Sequence, residues 1–130
     1  MEARKTLLIV EDERLVNDML VEFFSSRYRV LAAYDGAEAL LLAAEHRPDL
    51  VVLDVSLPLV DGRTVCRKLK SYAATKHAVV VMLTGKTQQH DRLLGFEVGA
   101  DDYLEKPVSL PYLGRVVERQ LAEVSGPSVG

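Results

Sequence analysis

Short apolar runs alternate with longer amphipathic segments along almost the whole chain. The runs that begin at Leu7, Leu50 and Val79 contain four or five consecutive apolar residues, and weaker strand patterns cover 29–33 and 102–104. The segments between these runs repeat apolar residues at helical spacing. Strand-like runs that alternate with helical segments predict βα units and a parallel sheet.

The pattern predicts five strands, over 7–10, 29–33, 50–54, 78–84 and 102–104. Five helices are predicted. The first covers 14–26, the second runs from an Asp35 N-cap to about 46, and the third begins after an Asp61 N-cap. The fourth covers 88–98, and the fifth runs from a Ser109 N-cap to 124. Five βα units of this length predict an α/β, doubly wound sandwich. The flavodoxin-like parallel order 2-1-3-4-5 is one common solution.

Helical spacing also predicts which side chains the helices bury. The first helix is expected to bury a stripe of Leu15, Met19 and Phe23, widened by Val16, Leu20 and Phe24. The expected buried residues of the second helix are Ala37, Leu40, Leu41 and Ala44. Those of the third are Val65, Cys66 and Leu69, and those of the fifth are Leu110, Leu113, Val117, Leu121 and Val124.

Polar residues of complementary chemistry follow four of the strands. Glu11-Asp12-Glu13 follows the first, Asp54 ends the third, Thr84 ends the fourth, and Lys106-Pro107 follows the fifth. Parallel strands all end at one edge of the sheet, where open α/β sheets place their sites. Alone, each has an ordinary explanation, such as acidic residues in the first turn of a helix. Their occurrence after four strands favours a shared site.

The chemistry of this set points to phosphoryl transfer. Crowded carboxylates repel one another, and a magnesium ion, Mg²⁺, relieves that repulsion with one or two carboxylates, waters and a phosphate as ligands. A carboxylate can also act as a nucleophile and form an aspartyl phosphate. Asp54 is the best candidate because it stands alone beyond a buried strand. Lys106 and Thr84 would then contact the transferred group.

Composition narrows the class of protein. The chain has 130 residues, 48% of them hydrophobic, which suits one compact domain. We place this domain over 1–124 and expect 125–130 to be a flexible tail or the start of a linker. The net charge of −3 gives no reason to expect direct nucleic-acid binding. No apolar run approaches the ~20 residues of a membrane span. The single cysteine suits a reducing, cytoplasmic location.

Four motifs, in order and spacing, resemble the response-regulator receiver domain of bacterial two-component signalling. They are Leu8-Ile9-Val10-Glu11-Asp12-Glu13, Asp49 to Asp54, Leu57-Pro58-Leu59-Val60-Asp61-Gly62, and Gly99 to Pro107, with Thr84-Gly85 at the expected place between them. The resemblance covers about Lys5 to Val124. Glu11 stands where aspartate is more frequent, and Gly85 where alanine is common.

The resemblance implies a role for each site residue. Asp54 would be the phosphoacceptor; Asp12 would bind Mg²⁺ directly and Glu11 through a water, and the backbone carbonyl of Ser56 would complete the protein ligands. Lys106 would pair with phosphoryl oxygens. Thr84 would turn toward the phosphate, and Tyr103 would swing inward behind it. The Lys106-Pro107 peptide bond would be cis.

The resemblance also implies partners. A histidine kinase or phosphotransfer protein would supply the phosphoryl group, and a downstream protein or effector domain would read the face formed by the fourth helix, fifth strand and fifth helix. The same face is a candidate for a homodimer. The domain would be a signalling module that catalyses only its own phosphorylation and dephosphorylation, rather than an enzyme.

Three alternatives remain open at this stage. A flavin binder would need a Ser/Thr-rich loop where Glu11-Asp12-Glu13 stands. A phosphatase with an aspartate nucleophile typically has a second aspartate where Ser56 stands. A phosphorylation-independent interaction module would not depend on Asp54.

Overall fold

A five-stranded parallel sheet forms the centre of the molecule. The computed structural model describes residues 4–85 and 99–125. Its strands are β1 (Thr6–Val10), β2 (Arg29–Ala33), β3 (Leu50–Asp54), β4 (Val79–Thr84) and β5 (Asp102–Glu105), in the order β2-β1-β3-β4-β5. The predicted fold class and strand order are therefore confirmed.

Helices cover both faces of this sheet. They are α1 (Arg14–Ser25), α2 (Gly36–His46), α3 (Gly62–Ser71) and the C-terminal helix α4 (Leu110–Ser125). The helix predicted over 88–98 lies outside the described residues. Among the helices of the described ranges, none is both long enough and apolar enough to cross a membrane.

The three central strands are buried throughout, which is why they are almost continuously apolar. Successive side chains point to opposite faces, so each strand contributes to two cores. Leu7 and Ile9 pack with α1 and α4, whereas Leu8 and Val10 pack with α2 and α3. In-register pairing, such as Leu7 with Leu50 and Leu50 with Val79, aligns the strand ends at one edge.

The predicted helix caps are present. Asp35 accepts a hydrogen bond from the Glu38 N–H at 2.8 Å, and Glu38 reaches back to accept from the Tyr34 N–H at 2.7 Å. Asp61 accepts from the Arg63 N–H, and Ser109 Oγ from the Tyr112 N–H. These caps fix where α2, α3 and α4 begin, and so the loops at the carboxyl edge of the sheet.

The stripe of Leu15, Met19 and Phe23 predicted to be buried on α1 is exposed, whereas the flanking Val16, Leu20 and Phe24 lie in the core as predicted. Leu15 is 79% and Met19 55% exposed, whereas Leu20 and Phe24 are buried with the polar Asn17. Two adjacent apolar stripes share the 3.6-residue period of this helix, and periodicity cannot decide which one faces the sheet. The amide of Asn17 bonds to backbone carbonyls beneath the helix, and this orients α1.

The predicted buried face of α2 is wrong except at Leu40, which is partly buried against the core. Ala37 and Ala44 are exposed and Leu41 is 72% exposed, and the helix instead buries Gly36, Ala39 and Ala43. Small side chains let this helix approach its neighbours closely. A Cβ atom added at Gly36 would lie 2.8 Å from side-chain carbons of Val60 and Val65. The predicted buried residues of α3 are confirmed.

Candidate functional site

Three of the predicted site residues meet at the carboxyl edge of the sheet. Glu11, Asp12 and Asp54 each present a carboxylate oxygen within 4.8 Å of those of the other two. Glu11 is 2% and Asp54 4% exposed, because both follow directly from buried strands. Asp12 is exposed, so the cluster opens to solvent on its side. In the described part of the chain, it is the one group of this kind that could hold a metal ion.

Lys106 supplies positive charge to this cluster. Its Nζ lies 3.1 Å from Asp54 Oδ1 and 3.6 Å from Glu11 Oε1. Burial opposes the charged form of the ammonium, but the two carboxylates outweigh it, so the pKa of Lys106 is raised. The side chain is therefore held as an ammonium against the carboxylates.

Within the described ranges 4–85 and 99–125, the one ammonium paired with these three carboxylates is that of Lys106, which does not balance their charge. Burial, and after it the charge of Asp54, raises the pKa of Glu11. Two groups act in the opposite direction: Lys106, and the Glu13 N–H, which donates to Glu11 Oε2 at 3.1 Å. The site therefore holds excess negative charge at low exposure. Oxygen ligands, crowding and an open, solvated side at Asp12 fit a Mg²⁺ ion, which keeps several waters beside one or two carboxylates.

The loop after β3 orients Asp54. The N–H of Ser56 donates to Asp54 Oδ1 at 3.1 Å. The role of the Ser56 carbonyl as a ligand stays a prediction. Gly62 closes this loop against the site, because a Cβ at that position would lie 2.4 Å from the Asp54 carbonyl oxygen. The sequence analysis treated Gly62 only as part of a loop and missed this contact.

Thr84 and Tyr103 are buried on the neighbouring strands β4 and β5. Thr84 is buried at the end of β4, and its carbonyl accepts a hydrogen bond from the Lys106 N–H at 2.5 Å. Tyr103 pairs with Met82 in the sheet and is buried in the core that faces α2 and α3. The Lys106-Pro107 peptide bond is cis. The movements predicted for Thr84 and Tyr103 stay predictions.

The sequence analysis also missed Asn17. This side chain is completely buried, and its Nδ2 donates to the backbone carbonyls of Glu11 at 3.0 Å and Ala33 at 3.1 Å. A signal was available, since Asn17 is three residues before Leu20 and seven before Phe24, on the stripe that proved to be buried. A polar residue on an apolar stripe indicates a specific hydrogen-bonding role.

An apolar groove of about 470 Å³ opens directly beside the carboxylates. Glu11, Glu13 and Lys106 form its polar end. The remaining lining is apolar and comes from α1, the end of β4, the loop after β5 and the start of α4: Val16, Met19, Leu20, Leu83, Pro107, Val108, Leu110 and Leu113. A partner lying in this groove would therefore reach the reactive end of the site.

Comparison with known proteins identifies the family. A family model described as "Response regulator receiver domain" matches residues 7–118. The chain is 40% identical over 127 residues to the alkaline phosphatase synthesis transcriptional regulatory protein PhoP of Bacillus subtilis (strain 168); the match covers 95% of this chain and 52% of PhoP. The chain thus spans about half the length of that relative.

Solved structures agree with this result. The signal receiver domain of a signal transduction histidine kinase from Syntrophus aciditrophicus is 31% identical, with a TM-score of 0.86 and coverage of 97% of this chain and 96% of that one. A CheY-like receiver domain protein from Methanospirillum hungatei JF-1 shares the fold, with a TM-score of 0.88, 24% identity and coverage of 94% and 97%. The chain belongs to the response regulator receiver domain family.

Proposed function

We propose that this domain accepts a phosphoryl group on Asp54 in a Mg²⁺-dependent reaction, and that phosphorylation changes its binding to partners. Receiver domains of response regulators generally act as phosphorylation switches between histidine kinases and downstream effectors. The observation that carries the proposal is the buried Asp54 carboxylate, which lies 3.1 Å from the Lys106 ammonium among two further carboxylates.

The site geometry supports Asp54 as the nucleophile. Lys106 and the Ser56 N–H both contact Oδ1, and together they orient the carboxylate. In the transfer, a carboxylate oxygen of Asp54 would form a bond to phosphorus while the bond from phosphorus to the donor breaks and the donor keeps the electron pair. Lys106 would then face the new phosphoryl oxygens. Mg²⁺ bound by Glu11, Asp12 and Asp54 would supply the positive charge that allows a phosphate to approach these carboxylates.

The same geometry supports a signalling module rather than a turnover enzyme. The acyl phosphate would stay on the protein until water attacks its phosphorus, with the carboxylate of Asp54 as leaving group. The domain would thereby catalyse both its own phosphorylation and its own dephosphorylation. Phosphate release from added phosphomonoesters, measured with catalytic amounts of protein, should stay at the level of the buffer.

The apolar groove beside the site is a docking place for the phosphodonor, which we expect to be a helix that carries a phosphohistidine. The groove ends at Glu11 and Lys106, so a donor lying in it would present its phosphoryl group to Asp54. The exposed side chains of Leu15 and Met19 extend the apolar surface along α1. Met19→Glu should therefore slow phosphorylation by a histidine kinase and leave labelling by acetyl phosphate unchanged.

The output face would include β5 and α4. Thr84 and Tyr103 lie on adjacent strands, so a shift of Thr84 toward the phosphate could be followed by Tyr103. Charged side chains of this face that could form ion pairs with a partner or a second copy are Arg92, Glu97, Asp101, Arg115 and Arg119. Arg92 and Glu97 lie outside the described residues, and Asp101 is already bonded to Lys70 and the Val80 N–H. Arg119 Nη2 already lies 3.7 Å from Asp102 Oδ2, so Arg115 is the stronger candidate on α4.

Acetyl phosphate provides the direct test. With Mg²⁺, the intact protein should gain the mass of one phosphoryl group. Asp54→Asn is the matched variant because it keeps the size of the side chain. A mass gain that persists in Asp54→Asn, or that survives removal of divalent ions by a chelator, would contradict the assignment.

The remaining alternative is a phosphorylation-independent interaction module, because the family match favours neither a flavin binder nor an aspartate-nucleophile phosphatase. NMR shifts on forming the beryllofluoride adduct, a phosphate mimic, separate the two. A switch should shift Tyr103 and α4, whereas changes confined to the loops of Glu11, Asp12 and Asp54 would favour the interaction module.

A further inference from the structure

One buried amide ties α1 to the two strands beside the acidic cluster. Asn17 is the fourth residue of α1, at the end of its first turn, and is 0% exposed. Its Nδ2 donates to the carbonyls of Glu11 and Ala33, and the Ala33 carbonyl also accepts from the Glu11 N–H at 3.1 Å. The backbone of Glu11 is thus held on both sides, through its N–H and through its carbonyl.

The orientation of this amide is fixed by its partners. Both partners are carbonyl oxygens, so only the NH₂ group can face them, and a flipped amide would set Oδ1 against two acceptors. Within the described residues, Asn17 Oδ1 is buried without a hydrogen-bond partner. A buried polar atom without a partner is unfavourable. An apolar side chain would avoid that cost, so the contribution of Asn17 must lie in what its two N–H groups hold.

Those two bonds act at the start of the acidic loop. The N-cap of α1, Glu13, makes no side-chain capping bond, and its N–H instead donates to Glu11 Oε2. The position of the Glu11 carboxylate therefore depends on the backbone between Val10 and Glu13. Asn17 fixes the carbonyl of the Glu11–Asp12 peptide, which leads directly to Asp12.

We propose that Asn17 is a positioning residue for the divalent-cation site. It holds the backbone of Glu11 so that the carboxylates of Glu11 and Asp12 already face Asp54 before the cation binds. This inference rests on the proposed function of the site. Groups that orient metal ligands without touching the metal typically change metal affinity by about 10- to 100-fold when they are removed.

The test is the Mg²⁺ affinity of the full chain, measured by isothermal titration calorimetry. Asn17→Leu keeps the charge and the number and branching of the side-chain heavy atoms but removes both donors, and it should weaken Mg²⁺ binding about tenfold. Thr75→Val is the matched control, because Thr75 Oγ1 makes a buried bond to the Leu69 carbonyl at 2.7 Å, away from the acidic cluster. The control should bind Mg²⁺ within about twofold of the wild type.

A second measurement separates positioning from a general structural role. The Mg²⁺ concentration that half-saturates acetyl phosphate labelling should rise by the same factor in Asn17→Leu, while the maximal rate at saturating Mg²⁺ stays near that of the wild type. Where Asn17→Leu does not fold, Asn17→Ala provides the same loss of donors without added bulk in a helix.

Each other outcome overturns the inference. Wild-type affinity in Asn17→Leu would show that the ligands need no help from the amide. Equal weakening in Thr75→Val, or loss of the fold in both Asn17 variants, would assign the amide to overall stability. Failure of the wild-type chain to bind Mg²⁺ would instead overturn the proposed function and, with it, this inference.

Discussion

The two edges of the sheet both carry carboxylates, but the protein satisfies them differently. At the amino edge, Asp49 Oδ2 accepts from the Thr6 N–H at 2.8 Å. Asp101 Oδ2 accepts from the Val80 N–H at 2.8 Å and from Lys70 Nζ at 2.7 Å. At the carboxyl edge, Glu11 and Asp54 share one ammonium and lie against each other.

The difference separates a structural carboxylate from a reactive one. A carboxylate whose lone pairs meet backbone N–H groups and a lysine has little left to offer a ligand, and it ties the start of a strand to its neighbour. Carboxylates that lie against one another destabilise the fold until something positive joins them. Residue type does not reveal which edge is which, since both contain acidic residues beside strands.

The largest expected effect concerns the amino edge. Asp101→Ala should lower the free energy of unfolding by about 2 to 3 kcal/mol, because it removes the acceptor for the Val80 N–H and leaves Lys70 without its ion pair. Urea unfolding followed by circular dichroism measures this. Asp101→Asn should cost less, because its amide oxygen can still accept from Val80. A cost for Asp101→Ala below ~0.5 kcal/mol, the level of an ordinary surface substitution, would remove the contrast between the edges.

The Cys66 thiol provides a reference in which burial is the largest influence on the pKa, ahead of the charges of Lys70 and Asp101 at the amino edge. Burial raises the pKa of the Cys66 thiol from about 9 to about 11. Since the folded pKa lies above the unfolded one, the stabilising contribution is complete below pH 9 and is lost as the pH rises through 11. The wild type should lose roughly 1 to 2 kcal/mol more than Cys66→Ala over that window. Stability curves that stay parallel for the two proteins would show that folding does not raise the pKa of the thiol.

The carboxyl edge should respond in the opposite sense to the amino edge. Without divalent ions, Asp54→Asn should stabilise the protein by about 1 kcal/mol, because it removes one of three crowded negative charges and leaves Glu11 paired with Lys106. Adding Mg²⁺ should raise the melting temperature of the wild type more than that of the variant, since only ligands that prefer the folded state stabilise it.

The matched substitution at the amino edge is Asp49→Asn. It should leave stability unchanged or lower it, because Asp49 already has the Thr6 N–H as its partner. Stabilisation by Asp49→Asn equal to that by Asp54→Asn would mean that net charge, rather than crowding at the site, decides the effect.

The sequence predicted the strands and the carboxyl edge well, because both follow from the chain itself. Continuous apolar runs such as 50–53 can only be buried strands here, and parallel strands carry the residues that follow them to one edge. Glu11, Asp12 and Asp54 therefore meet as expected. The rotation of α1 and α2 was predicted only in part, because it depends on contacts between elements: the bonds of Asn17 below α1, and the close approach at Gly36.

Contacts between elements also explain what was missed at the site. Gly62 and Asn17 act on Asp54 and Glu11 through backbone atoms, so their role depends on three-dimensional distances that residue type does not encode. Sequence alone would suggest an interface role for Asp101, because it is charged and lies beside β5. Its two bonds at the amino edge became visible only with the register of β4 and β5.

The smallest expected effect lies in the loop that joins Asp54 to α3. Leu59 is 94% exposed and has a φ of 67°, at the centre of a tight turn in which the Val60 N–H donates to the Pro58 carbonyl. A left-handed φ costs a branched side chain about 1 to 2 kcal/mol, and glycine loses about 0.5 to 1 kcal/mol of that advantage through its flexible unfolded state. Leu59→Gly should therefore stabilise the domain by only about 0.5 kcal/mol. Arg47, with a φ of 48° at the end of α2, provides the comparison away from the site, and Arg47→Gly should act in the same direction. Destabilisation by Leu59→Gly but not by Arg47→Gly would show that the Leu59 side chain, despite its exposure, helps to hold the loop beside Asp54. The left-handed backbone of Leu59 would then serve the carboxyl edge rather than the turn alone.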